Sequence, residues 1–264
     1  MLLRNEDRFL QQAIQNIIGF CDHLILLDHN STDKTPEILS QYIKNPKCRV
    51  ERILHPGESQ SFLKPYYNTS TWAFGVDGDE IYDPKGLERF RKQILDGKYS
   101  DFWMILSNVL HVDFLDNQSQ KAMGYLSPPS RSITKFYNFA AIQDWYGNIP
   151  ERLHGGTINF HEGYDASKKH HLENENSWEQ SDLRCLHTCF IPRSSLDKEQ
   201  GAAVTTRKNI METYAASPRD RFKNWLFKFF NRKEKDSQWK RERYQRGERI
   251  EVNISEFFPS QASK

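Results

Sequence analysis

The segment Asp77-Gly78-Asp79-Glu80 places three carboxylates within four residues, with a glycine between the first two. Carboxylates this close repel one another unless a cation or a shared proton intervenes. Asp77 and Asp79 lie two apart, the spacing that puts side chains on one face of an extended chain. Oxygen ligands of this kind suit Mg²⁺ or Mn²⁺, ions that keep several waters and take further ligands from substrate phosphates. An isolated pair of this kind also fits a solvated acidic turn, so the flanking elements decide. Upstream, Trp72-Ala73-Phe74-Gly75-Val76 is a short apolar run that reads as a buried strand. Downstream, Ile81-Tyr82-Asp83-Pro84 reads as a strand stub and a turn. The acidic group therefore stands at the end of a strand.

The elements before it alternate. Residues 7–20 carry Phe9, Leu10, Ala13, Ile14, Ile17 and Ile18 at helical spacing. His23-Leu24-Ile25-Leu26-Leu27 is a continuous apolar run, as in a strand buried on both faces. A loop over 28–33 offers Ser31, Thr32 or Asp33 as cap for a helix over 35–42. A strand over 49–54, a weak helix over 59–67 and the strand over 72–76 follow. Strand and helix in alternation imply right-handed crossovers and a mostly parallel sheet, with ligands at the carboxyl ends of strands. Asp28 and the 77–80 group both fall at such ends. Residues 84–97 read as a helix, and 102–112 and 132–139 as antiparallel additions to the sheet. Residues 127–131 form a loop. The polar stretch 161–182 reads as a mobile loop before a strand over 183–191 and a helix over 205–216. The span 219–249 is basic and interleaved with aromatics. It suits either an amphipathic helix on an anionic membrane face or a terminal helix packed on the domain.

A chain of 264 residues can bury a sizeable core, and a net charge of +2 gives no field that would attract nucleic acid. Aromatics make up 13%, which fits a well-filled core first and sugar-stacking clefts second. No apolar run approaches the ~20 residues of a membrane span, and the N-terminus lacks signal-peptide character. The expected location is cytoplasmic, with peripheral membrane association through 219–249 left open. Four cysteines in a chain this long suggest free thiols. Cys185, His187 and Cys189 alternate and could face one ion, but no paired C-x-x-C accompanies them.

Four patches resemble the family 2 glycosyltransferases of the GT-A fold. Asn5-Glu6 looks like the family's "NE" opening. The run from Leu26 through Thr35 looks like its "vvDdgStDgT" segment, and Trp72 through Glu80 like its strand ending in "DxDE". Trp145 through Leu153 looks like the later "G-x-(I/V)-H-E-x-L" segment. His29 stands where the second aspartate of the family's "DD" is usual, and Pro150 where its histidine is usual. The resemblance implies a Rossmann-like α/β fold, a mixed and mostly parallel sheet flanked by helices. It implies a glycosyltransferase domain over 1–200, with a nucleotide-binding half over 1–100 and an acceptor-side half over 101–200. A basic helical extension over 201–264 would follow. It further implies transfer of a sugar, a hexosyl group by expectation, from a nucleoside diphosphate donor to a saccharide or other hydroxyl acceptor. Mn²⁺ or Mg²⁺ would sit on the diphosphate. Glu6, Asp28 and Asn30 would lie on the nucleoside side, Asp28 accepting from a uracil or thymine imino N–H, hence a lean to UDP. Asp79 would be the direct metal ligand and Asp77 a ribose-side or metal-side partner. Two other readings compete: an inactive nucleotide-sugar-binding or membrane-docking module, and a sugar nucleotidyltransferase. The second would want a glycine-rich phosphate loop, and none follows Leu3.

The chemistry of transfer narrows the remaining choices. Departure of the diphosphate needs positive charge, and an inverting displacement needs a base on the acceptor hydroxyl. Glu151 is the first candidate base, with Asp182 and Glu179 as alternatives. His187 or His161 could complete the metal's ligands, since a neutral imidazole suits such an ion. Arg131, presented after two prolines, is expected to bind the donor, with Lys135 and Arg193 as further candidates. Trp145 and Tyr146 are candidates to stack on an acceptor sugar.

Overall fold

The computed structural model describes residues 1–146, 156–197 and 238–259. The opening elements are β1 (Leu2–Leu3), α1 (Leu10–Ile17), β2 (Leu24–His29), α2 (Thr35–Ser40) and β3 (Cys48–Ile53). β2 runs parallel to both β1 and β3, as the strand–helix alternation predicts. α1 forms because Leu10, Ala13, Ile14 and Ile17 recur on one face, and all four are buried. α2 starts at Thr35-Pro36, where a missing N–H costs nothing, and the Asp33 carboxylate accepts the Thr35 N–H at 2.9 Å. The expected helix over 59–67 is instead two 3₁₀ segments, Pro56–Phe62 and Lys64–Tyr66. Pro65 lacks the N–H that a continuous helix would use.

β4 (Trp72–Gly75) leads through the acidic turn to β5 (Glu80–Tyr82) and α3 (Pro84–Leu95), whose N-cap Asp83 accepts the Lys85 N–H at 3.0 Å. The expected strand over 102–112 is split into β6 (Met104–Leu106) and β7 (Asn108–Asp116), and these enter different sheets. β8 (Lys121–Ser127), β9 (Lys135–Asn138), β10 (Ile142–Tyr146) and β11 (Thr157–Phe160) follow. The polar stretch read as a mobile loop contains β12 (Lys169–His171), parallel to β6, and the short α4 (Leu172–Glu175). Trp178 anchors its end by stacking on Phe257, with ring centroids 5.7 Å apart. Weak periodicity hid this order because the stretch is held by its partners and not by a repeating apolar face. β13 (Arg184–His187), α5 (Gln238–Tyr244) and β14 (Arg249–Asn253) complete the described chain. The helix expected over 205–216 lies outside the described residues. Within the basic tail, α5 is helical as expected, whereas β14 pairs with β8 as an edge strand.

The described strands form sheets in the orders β1-β2-β3, β12-β6-β9-β4 and β14-β8-β7-β13-β5, and β10 pairs with β11 in a fourth. Phe20, Phe74, Phe90 and Phe136 interlock between them, with centroids 5.2–6.4 Å apart in the contacting pairs. The aromatic surplus therefore goes largely into core. β13 carries the decisive register: His187 lies opposite His111 of β7 on one side and Glu80 of β5 on the other. Directly paired residues share a sheet face, so the pairing alone brings these three side chains side by side.

Candidate functional site

The loops after β1 and β2 are stitched together by short polar side chains. Asn5 and Asn30 both adopt left-handed backbone, at φ 51° and 50°, a region asparagine tolerates. The Asn5 N–H donates to Ser31 Oγ at 2.9 Å, and the Thr32 N–H donates to Asn5 Oδ1 at 2.6 Å. The Glu6 N–H donates to Thr35 Oγ1 at 2.9 Å. Asp28 is buried, with Oδ1 taking the Ser31 N–H at 3.0 Å and Oδ2 3.8 Å from Arg52 Nε. Asn30 Oδ1 accepts from the same Arg52 at 3.1 Å. His29 faces the core, and burial, aided by Arg4, lowers its imidazole and keeps it neutral.

The acidic turn is joined to these loops through Glu6. Its Oε2 accepts the Gly78 N–H at 2.7 Å, and a Cβ at position 78 would stand 2.3 Å from that oxygen. Position 78 must therefore be glycine if Glu6 is to stay. The Asp79 carbonyl accepts both the N–H and the hydroxyl of Thr188, at 2.9 and 3.2 Å, which fixes the turn to the end of β13. Lys135 is buried between Asp77 and Glu80, with Nζ 3.1 and 2.9 Å from their oxygens. Asp79 meets Arg193 Nη1 at 2.9 Å through Oδ2, and the same oxygen lies 3.8 Å from His187 Nε2. Its Oδ1 is buried and has no hydrogen-bond partner among the described residues. Arg193 also reaches to 3.5 Å from Glu6 Oε1.

Electrostatics follow from this crowding. Burial alone would raise the Asp79 carboxyl, but Arg193 and then His187 outweigh it and hold it below the usual carboxylate range. Burial, opposed by Lys135 and reinforced by Asp77 and Asp79, pushes Glu80 up to about 8. Burial also takes the His187 imidazole down to about 4, against the pull of Asp79 and Asp77, so the ring is neutral near pH 7. Arg193 is raised: its burial works the other way, but Asp79, Glu6 and Asp77 prevail.

Of the residues singled out in the sequence, Glu6, Asp77, Asp79, His187, Lys135 and Arg193 converge here. Asp28 and Asn30 flank them through the loop contacts just given. The Arg131 side chain is exposed, and the backbone carbonyl of Arg131 meets His111 Nε2 at 2.9 Å. Asp182 stands before the start of β13, at the far end from His187, where Arg89 and Gln93 each donate to it at 2.6 Å. Glu179 accepts from the Ser177 hydroxyl at 3.0 Å. Glu151 lies outside the described residues. His161 pairs with Asn68 at 2.8 Å and not with the acidic turn. Trp145 is buried against Tyr137, so it serves the core, while Tyr146 is half exposed. Sequence reasoning missed His111. Its signal is a polar residue inside the apolar run Val109-Leu110-His111-Val112, where only a hydrogen-bonded ring would be tolerated.

An apolar cavity of about 460 Å³ lies between β2 and β4, with Asp77 and Lys135 on its wall. Its aliphatic and aromatic lining suits neither a diphosphate nor a divalent ion. The largely buried polar cluster of Glu6, Asp79, His187 and Arg193 does. A buried carboxylate oxygen with no partner among the described residues, next to a neutral imidazole, is a donor set into which a hard or borderline divalent ion fits. Among the described residues no helix is long and apolar enough to cross a membrane.

No curated protein sequence matches the chain. Among solved structures, residues 1–349 of S. aureus TarS align with 16% identity and a TM-score of 0.36, over 53% of this chain and 46% of that one. The same protein in complex with UDP-GlcNAc aligns with 15% identity and a TM-score of 0.31, over 44% of this chain and 34% of that one. The chain thus spans less than half the length of these structures. The model of the family described as glycosyl transferase family 2 matches residues 1–166, more than half of the sequence. The chain, with its carboxylates gathered at the strand ends of a mixed α/β fold, belongs to glycosyl transferase family 2.

Proposed function

We propose that this chain transfers a sugar from a nucleoside diphosphate sugar, with UDP as the expected nucleotide, to a hydroxyl acceptor. The observation that carries the proposal is the Asp79 carboxylate. One of its oxygens is buried and has no hydrogen-bond partner among the described residues, and the second is shared between Arg193 and the edge of His187. In this reading Asp79 and His187 hold a divalent ion, Mn²⁺ or Mg²⁺, with Asp77 beside it. When bound, that ion would neutralise the diphosphate as it leaves.

The chain's own residues supply the rest. Glu6 and Asp28 bind the nucleoside side, Asp28 through the carboxylate that Ser31 orients. Lys135 offsets the charge of Asp77 and holds Glu80 beside it. Arg193 is placed to move from Asp79 onto the diphosphate. In an inverting displacement the acceptor oxygen forms the new bond as the bond from the anomeric carbon to the diphosphate oxygen breaks. Glu151 would take the acceptor's proton, an effect worth roughly 10²–10⁴-fold. Asp182 would need to leave Arg89 and Gln93 to act in its place.

The test is thermal unfolding with a panel of nucleotide sugars, with and without Mn²⁺, on the wild type and on Asp79→Ala. A ligand at a hundredfold excess over its Kd stabilises by about 2.7 kcal/mol. One donor should raise the melting temperature of the wild type only with Mn²⁺, and Asp79→Ala should show no such rise. An Asp79→Ala protein with undiminished Mn²⁺-dependent donor binding would sink the proposal.

A further inference from the structure

The two buried histidines beside the acidic turn form a directed chain. His111 Nε2 lies 2.9 Å from the Arg131 carbonyl oxygen, and His111 Nδ1 lies 2.9 Å from His187 Nδ1. A carbonyl can only accept, so His111 Nε2 carries the proton. A neutral imidazole has one N–H, which leaves His111 Nδ1 as an acceptor. Two lone pairs do not meet at 2.9 Å, so His187 Nδ1 donates. His187 Nε2 is then the unprotonated nitrogen, and it is the one on the Asp79 side.

The surroundings hold this order. His111 is fully buried, and no carboxylate pairs with it among the described residues, so a charged ring there would be uncompensated. Tyr244 of α5 stacks on His111 at 4.4 Å and 22°, and stands edge-on to His187 at 5.5 Å and 85°. Gly124 of β8 lies so close beneath that a Cβ would be 2.2 Å from the His111 carbonyl oxygen. The backbone of His111 is thus as confined as its ring.

We propose that His111 is a positioning residue, which fixes the tautomer of His187 so that Nε2 presents a lone pair to the cation site at Asp79. The inference rests on the reading of His187 as a ligand of a divalent ion. Groups that orient a metal-binding histidine this way typically contribute 10- to 100-fold in affinity. Without the bond from His111, the proton on His187 is free to move to Nε2 and donate to Asp79, which would close the site to a cation.

The experiment pairs imidazole ¹⁵N NMR of the metal-free protein with Mn²⁺ titration followed by electron paramagnetic resonance. The wild type should show His187 protonated at Nδ1 alone. His111→Leu should lose that single tautomer and bind Mn²⁺ about 10- to 100-fold more weakly. His111→Asn, whose amide oxygen can accept at the Nδ1 position, should stay close to the wild type in both. A wild-type protein with His187 protonated at Nε2 overturns the proposal whether or not His111→Leu folds. So does a folded His111→Leu protein with wild-type tautomer and Mn²⁺ affinity. Cys189 is near enough that its sulfur and the two histidines fall within 4.8 Å of one another. Zn²⁺ bound through both Nδ1 atoms, and lost in Cys189→Ser, would overturn it too. Asp79→Asn and His187→Ala report on the underlying reading alone. If both bind Mn²⁺ like the wild type, the cation site fails while the tautomer of His187 still tests His111.

Discussion

Replacing Arg193 with glutamine separates a cation site from a plain ion pair. Arg193 Nη1 donates to Asp79 Oδ2 at 2.9 Å, in a site where Asp79 is nearly inaccessible to water. Its second carboxylate, Glu6 at 3.5 Å, is at the limit of a hydrogen bond. A hydrogen bond to a charged group contributes about 1.5–3 kcal/mol, and a divalent ion that takes Asp79 must compete with it. Removing the guanidinium should therefore tighten Mn²⁺ binding by about 10- to 100-fold, at 1.4 kcal/mol per tenfold. Without the ion, Arg193→Gln takes from the buried Asp79 charge the guanidinium that is bonded to it. Breaking such a pair costs about 3–5 kcal/mol. Thermal unfolding with and without Mn²⁺, with calorimetric titration of Mn²⁺, measures both quantities. The variant should melt lower than the wild type alone and gain more from Mn²⁺. Weaker Mn²⁺ binding by the variant would refute the competition and mean that Arg193 supports the ion. No response to Mn²⁺ in either protein would refute a cation at Asp79, and would leave Arg193 as the charge that meets the diphosphate.

Other expectations follow from single contacts. Gly78→Ala must displace Glu6, because its Cβ would stand 2.3 Å from Glu6 Oε2. Calorimetry should show weaker nucleotide binding, and denaturation a loss of about 1–3 kcal/mol for the orphaned N–H. Asn16→Leu strips the donor from the carbonyls of Tyr82 and Phe257, held at 2.7 and 2.8 Å, so each buried carbonyl should cost about 1–3 kcal/mol in urea unfolding. His187 titrates near 6.5 when unfolded and about 4 when folded, so its stabilising contribution is complete above 6.5 and lost as pH falls to 4. That gap corresponds to roughly 3 kcal/mol. His187→Phe should flatten the fall measured by urea unfolding between pH 7 and 4. Glu80 works in the opposite sense, its contribution present below 4.5 and lost as pH rises toward 8. Glu151→Gln should lower kcat by roughly 10²–10⁴-fold with donor affinity unchanged, and an unaltered kcat would exclude it as the base.

The first half of the fold was legible because its strands are short continuous apolar runs and its helices keep one apolar face. Leu24 to Leu27 and the Leu10-Ala13-Ile14-Ile17 stripe are cases where local pattern and tertiary burial agree. The acidic turn was legible for the same reason, since Trp72 to Val76 marks a strand end and three carboxylates mark its chemistry. The stretch 161–182 was not. Lys169-His170-His171 has no apolar alternation, and it is a strand only because β6 pairs with it. β14 hid in a basic tail for a similar reason: Arg249, Glu251 and Asn253 are exposed, and only Val252 is buried. That His187 and not His161 stands beside the acidic turn follows from the register of β13 against β5, a relation between residues more than a hundred apart. Asp182 looked well placed by sequence order, but a strand separates it from His187, and its oxygens are taken by Arg89 and Gln93.

If a divalent ion binds Asp79 as proposed, the contacts single out the part of the site that must yield to it. The acidic turn cannot: Glu6 holds the Gly78 N–H, Asp77 O accepts the Glu80 N–H at 3.1 Å, and Thr188 holds the Asp79 carbonyl twice. His187 cannot, being wedged between His111 and Tyr244. The backbone of Arg193 is also pinned, through its carbonyl to the Arg8 N–H and through its N–H to Asp197, each at 3.0 Å. Its side chain is the most exposed member of the group, at 16% against 2% for Asp79 and 9% for His187. The site is therefore a buried, carboxylate-rich cup with one tethered guanidinium at its most exposed edge. On the proposed function, a donor carrying a divalent ion would take the place of Arg193 at Asp79 and offer Arg193 a phosphate in return. Asp79 would then keep a counter-charge throughout, and the exchange would avoid the uncompensated buried charge that opposes binding.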